Sequence, residues 1–142
     1  MSRWIPIQWL ALLLLLMSCS QPVNVVNVAP SVAGIGPVIN DNGTVSIVFW
    51  VRDHEENAVD VFFEVIQDGQ ASPINVFGGH GDIGLTTSRE NTGRAHVVLW
   101  KADDIDLDTP IKLRLQAQDD YGTQGPPLET VEFTLNAGLP PL

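Results

Sequence analysis

The stretch Pro110–Gln118, "PIKLRLQAQ", decides the fold. Ile111, Leu113, Leu115 and Ala117 alternate strictly with Lys112, Arg114, Gln116 and Gln118. A repeat of two places every apolar side chain on one face of an extended chain and every polar one on the other, whereas a helix would scatter them. The segment is therefore a half-buried strand. Its apolar face needs a second layer to cover it.

The same pattern recurs on both sides. In "TVSIVFWV" (Thr44–Val51), Val45, Ile47, Phe49 and Val51 share a face, and the turn signal "NDNG" (Asn40–Gly43) precedes them. In "AVDVFFEVIQDG" (Ala58–Gly69), Val59, Val61, Phe63 and Val65 face one way and Asp60 and Glu64 the other. Asp68-Gly69 predicts a tight hairpin into "SPINVF" (Ser72–Phe77). The Gly-rich, polar segment Phe77–Gly93 reads as a long connection between sheets. It leads into the strand "RAHVVLWK" (Arg94–Lys101), and "ETVEFTL" (Glu129–Leu135) predicts a last strand with Val131, Phe133 and Leu135 on one face. No segment after Cys19 sustains a helical period. About seven short strands with turn clusters between them predict an all-β fold, a two-sheet antiparallel sandwich spanning residues 31–136, with an open barrel as the alternative. Residues 137–142 read as a short tail.

From about Pro30 to Asn136 the chain resembles the immunoglobulin-like or fibronectin type III-like modules of bacterial surface proteins. The resemblance rests on "APSV", "VRDHEENAVDVFFEVIQDG", "GRAHVVLW" and "IKLRLQAQDDYG". It implies an immunoglobulin-like sandwich and leaves function open. The inter-sheet cysteine pair of antibody domains is absent, since Cys19 is the only cysteine. Trp50 and Trp100 are the residues expected to fill the core in its place.

The N-terminus speaks to location. Arg3 precedes an apolar run from Trp4 to Met17, broken only by Pro6 and Gln8. The run is too short for a hydrocarbon core of ~30 Å and fits the apolar region of a secretory signal. Leu16-Met17-Ser18-Cys19 resembles the lipobox of bacterial lipoproteins, with an aliphatic residue three before the cysteine and a small one just before it. The resemblance implies removal of residues 1–18 and acylation of Cys19, leaving residues 19–30 as lipidated cysteine and tether. Ser20, rather than Asp, after the cysteine resembles lipoproteins sent on to the outer membrane.

The net charge is −10, and loss of residues 1–18 takes away Arg3 and no acid, which makes it −11. So acidic a body repels phosphate backbones, and nucleic acid is not an expected partner. No motif of phosphate cradling or zinc binding is present: His54, His80 and His96 fall in separate segments. His80, Asp82 and Ser88 share a loop but lack the strand–turn–helix elbow of a hydrolase, so no enzyme is expected. Acidic clusters supply the calcium candidates. Asp104, Asp106 and Asp108 would project from one face of an extended chain about 6.6 Å apart, and Asp53, Glu55, Asn57 and Asp60 crowd one loop, with Asp119 and Asp120 expected near one of these ends. The competing reading, which the sequence favours, is a solvated acidic rim. No cofactor beyond the covalent lipid is expected. The expectation for function is a lipid-anchored envelope protein serving as a non-catalytic binding or structural module. The alternatives are an accessory lipoprotein for assembly of a secretion, pilus or surface-polymer complex, and a carbohydrate-binding module using Tyr121 and Phe62. The partners expected are a membrane, through the anchor, and an envelope or extracellular protein or glycan.

Overall fold

A computed structural model describes residues 26–140. Leu16, Ser18 and Cys19, and with them the signal and anchor expectations, lie outside the described residues. Eight strands follow one another: β1 (Ser31–Asp41), β2 (Thr44–Arg52), β3 (Val59–Gln67), β4 (Gln70–Pro73), β5 (Val76–Gly79), β6 (Arg94–Lys101), β7 (Lys112–Asp119) and β8 (Leu128–Glu129). They form two antiparallel four-stranded sheets, ordered β1-β2-β6-β5 and β4-β3-β7-β8. This is an all-β sandwich, and the order is consistent with an immunoglobulin-like arrangement.

Alternation builds the core as expected. Val45, Ile47, Phe49 and Val51 of the first sheet face Leu113, Leu115 and Ala117 of the second, and all are fully buried. The rings of Phe49 and Phe63 meet edge to face across the layer at 5.2 Å. Two hairpins have the left-handed residue pairs that match strand twist: Asn42 and Gly43 join β1 to β2, and Asp68 and Gly69 join β3 to β4. At Gly125 the backbone carbonyl of Pro30 lies where a side chain would begin, 1.7 Å from a built Cβ. Only glycine lets the segment entering β1 seat against the chain that follows β7.

The structure corrects several expectations. "SPINVF" is not one strand: β4 ends at Pro73 beside β3, Ile74 stays bonded to Phe63, and β5 crosses over to pair with β6 in the other sheet. Trp100 fills the core but Trp50 does not. With residues 45, 47, 49 and 51 turned inward, the same repeat of two sends Trp50 outward, opposite Gly34. The last strand is broken. After β8, Thr130 bonds Leu113 through both its backbone and its hydroxyl, and pairing resumes only at Phe133 with Ile111. Phe133 and Leu135 are buried as expected, while Val131 in the gap is exposed. Packing continues past Asn136, where a tail was expected, because Leu139 is buried and pairs with Val38.

Candidate functional site

Three places gather chemistry. The first is the end of the sandwich where β2 runs out, β3 begins and β7 stops. Asp53, the residue after β2, is 1% exposed. Its Oδ1 accepts the Glu55 amide at 2.7 Å, and its backbone amide donates to the Ser88 carbonyl. Its Oδ2 is buried without a partner, and so is Oε2 of Glu55. Burial pushes the Asp53 carboxyl above its usual range, and the Glu55 carboxylate beside it pushes the same way. On the neighbouring segment, the Asn27 amide nitrogen donates to Asp119 Oδ2 and to Thr123 Oγ1. Asp119 also accepts the amides of Tyr121 and Thr123 at Oδ1. Burial raises its carboxyl, but these donors outweigh it and hold the group below the usual range. Because the Asn27 nitrogen must face those acceptors, its Oδ1 faces away, and that oxygen too is buried without a partner. An unsatisfied buried polar atom costs about 1–3 kcal/mol.

The remaining acids are not part of this group. Asp60 sits on the outer face of β3 and accepts the Gly84 amide at Oδ1, Asn57 contributes its carbonyl to Thr87, and Asp120 is exposed. The Asp104–Asp106–Asp108 run is not extended. It forms two successive turns, closed by Ile105 bonding Ala102 and Thr109 bonding Asp106, because Ile105 and Leu107 pack onto the core. Asp106 accepts the Asp108 amide and Asp108 accepts the Asn136 side chain. These carboxylates serve the loop rather than lining one face. Among the described residues, no three His, Cys, Asp or Glu side chains form a group that could hold a metal ion.

The second place joins two histidines that the sequence left apart. β5 ends at Gly79, and His80 follows with its Nδ1 3.2 Å from Nδ1 of His96, an inward-facing residue of β6. His96 Nε2 lies 2.7 Å from the Thr86 carbonyl, which can only accept, so this nitrogen carries the proton. Neutral His96 then has an unprotonated Nδ1, which faces the Nδ1 of His80, the same atom that accepts the Val97 amide at 3.4 Å. His96 is 7% exposed and lies against Phe49. Burial lowers its pKa below the usual 6.5; the Thr86 carbonyl pulls the other way, and His80 and Arg94 add to the lowering. The unfolded chain therefore takes up a proton at a higher pH than the folded one. The stabilising contribution is complete above pH 6.5 and falls away as the pH drops through the window beneath it. Thermal unfolding followed from pH 7.5 down to about pH 5 is expected to fall more steeply for the native sequence than for His96→Gln. Parallel curves would contradict the assignment. Asp82 and Ser88, grouped with His80 in the sequence, are carried elsewhere: the Asp82 carbonyl accepts the Val61 amide and Ser88 pairs with Arg52.

The third place is the pair of outer sheet faces. On the second sheet, Phe62 is 49% exposed opposite Gln116, beside Arg114 bonded to Glu64 at 3.2 Å and to Glu129 at 2.7 Å. Phe62, Pro73, Asp82, Gln116 and Gln124 line an open groove of about 350 Å³ there. The first sheet is different. The outward positions of β2 are Thr44, Ser46, Val48, Trp50 and Arg52, and those of β6 are Ala95, Val97, Leu99 and Lys101. Val48 pairs with Val97, Trp50 with Ala95 and Ser46 with Leu99, so β2 and β6 present an apolar band without one acid. Ile39 on β1 and Phe77 on β5, each more than half exposed, extend it, and Lys101 stands over the Phe77 ring. Sequence reading missed this band because attention went to the inward set of each strand.

No family model matches the chain, and no curated protein matches it.

Proposed function

We propose that the protein is a lipid-anchored cell-envelope protein whose sandwich is a non-catalytic binding or structural module. The Leu16–Cys19 box supports the anchor. The observation that carries the binding reading is the outer face of the first sheet, apolar in a chain with 17 acidic residues. Val48, Trp50, Val97 and Leu99 lie side by side half-buried, with Ile39 and Phe77 more exposed at the flanks, and contiguous apolar surface of this kind marks an interaction site. The band is a broad sheet face rather than a cavity, and Arg52 and Lys101 stand at its two ends. Its complement is another protein surface, apolar at the centre and acidic at the rim. A photoreactive residue at Val97 is expected to cross-link that protein in intact cells, with the same adduct lost in Trp50→Lys while the melting temperature holds. No adduct, or one indifferent to Trp50→Lys, would overturn the reading. If the captured protein belongs to a larger envelope machine whose assembly fails without this chain, the module is an assembly accessory.

A carbohydrate-binding reading has one observation in its favour. Phe62 is an exposed ring set among the planar polar groups of Gln116, Gln124 and Arg114. Retention on envelope polysaccharide that disappears in Phe62→Ala would select it. Tyr121, 76% exposed on the turn after β7, lies apart from that groove's lining.

A further inference from the structure

We infer that the end of the sandwich holding Asn27, Asp53 and Glu55 is a Ca²⁺ site. Its ligands from the chain are Oδ2 of Asp53, Oε2 of Glu55 and Oδ1 of Asn27. These are the buried side-chain atoms among the described residues that have no hydrogen-bond partner. All three are oxygens, and all three come from one end of the fold. Asp53 and Glu55 lie in one loop, with the Glu55 carboxylate acting directly on that of Asp53. Asn27 precedes β1, whose first residue, Ser31, pairs with Arg52 next to Asp53. Val28 and Ala29 lie with Arg52, His54, Arg89 and Asn91 around one small cleft, so the chain entering β1 runs beside the segment that follows β2. On its other side Asn27 is tied to Asp119, itself paired with Val59 at the start of β3.

The arrangement is built rather than incidental. Asp53 is 1% exposed, and one of its oxygens is committed to the Glu55 amide while the other is left without a partner. The Asn27 amide is held by two acceptors with its oxygen turned away from both. Two carboxylates within hydrogen-bonding reach of one another must share a proton or repel, and a cation between them can take the proton's place. Oxygen donors with no nitrogen or sulfur among them select a hard cation. A flexible set of two acids and one amide, completed by water, suits Ca²⁺ better than Mg²⁺, which demands tighter octahedral geometry and gives up water reluctantly. With only two formal negative charges the affinity belongs to the range of extracellular modules, about 10⁻⁴–10⁻³ M. The ion would tie the entry to β1 to the end of β2. The inference does not depend on the anchor or on the partner face.

The test is thermal unfolding and calorimetric titration of the full chain in detergent with CaCl₂, against NaCl of matched ionic strength and against MgCl₂. A saturable rise in melting temperature with Ca²⁺ is expected, with a much weaker effect of Mg²⁺ and only a small unsaturating one of NaCl. Glu55→Gln, at a half-buried position, should lose the saturable rise while still folding in its absence, and Asp53→Asn should lose it as well. Asp106→Asn, in the other acidic loop, should keep it. No saturable Ca²⁺ effect in the native protein would overturn the inference and leave Asp53 and Glu55 sharing a proton. A saturable effect that survives Glu55→Gln, or that Asp106→Asn removes, would overturn it by placing the ion elsewhere.

Discussion

Replacing Leu113 by Asp is expected to cost at least about 4 kcal/mol of folding stability, a large share of the ~5–15 kcal/mol of an ordinary domain. Leu113 is fully buried on the inner face of β7, opposite Val65 of β3 and bonded through its backbone to Thr130. A carboxylate there loses the packing of a leucine and gives up its water among the apolar side chains of the core. The neighbouring change Lys112→Gln touches the outer face, where Lys112 makes no ion pair among the described residues, and should cost no more than about 0.5 kcal/mol. Chemical denaturation of both variants checks the contrast. Similar losses would mean that β7 does not turn residue 113 to the core.

That contrast was legible in the sequence because it depends only on a repeat of two. The same holds for the inner faces of β2 and β3 and for the hairpin at Asp68-Gly69. The features that were not legible depend on which parts of the chain meet. Alternation could not reveal that the chain leaves one sheet for the other between Pro73 and Val76, since both halves of "SPINVF" look extended. Size suggests Trp50 for the core, but parity decides, since the inward Phe49 and Val51 on either side commit it to the outer face. The Asp104–Asp108 run has a strand's alternation, yet Ile105 and Leu107 reach the core from turns.

The candidate sites were only half visible for the same reason. His80 and His96 are 16 residues apart, and nothing in either segment announces the other. Asp53 and Glu55 stood out as an acidic pair. Asn27 is held at the same end of the sandwich by a contact with Asp119 across 92 residues of sequence. Charge density pointed equally to two acidic loops. Only the structure separates them, since Asp106 accepts an amide of its own loop and Asp108 accepts the Asn136 side chain, whereas Oδ2 of buried Asp53 has no partner.

The second large effect concerns the anchor, on which the proposed function depends. One acyl chain binds a bilayer weakly and reversibly, whereas two or three, at about 0.8 kcal/mol per buried CH₂, hold a protein there for good. If Cys19 carries them, the chain lives on a membrane surface with its sandwich held close by a short tether. If it does not, the apolar band on the first sheet needs another explanation. Intact mass spectrometry of the native protein from a detergent extract of cell envelopes decides the matter most directly. The account predicts a chain that begins at Cys19 and carries the added mass of a diacylglyceryl group, with or without a third acyl chain on its amine. A mature chain that begins at any other residue, or one that begins at Cys19 with a free thiol, would contradict it.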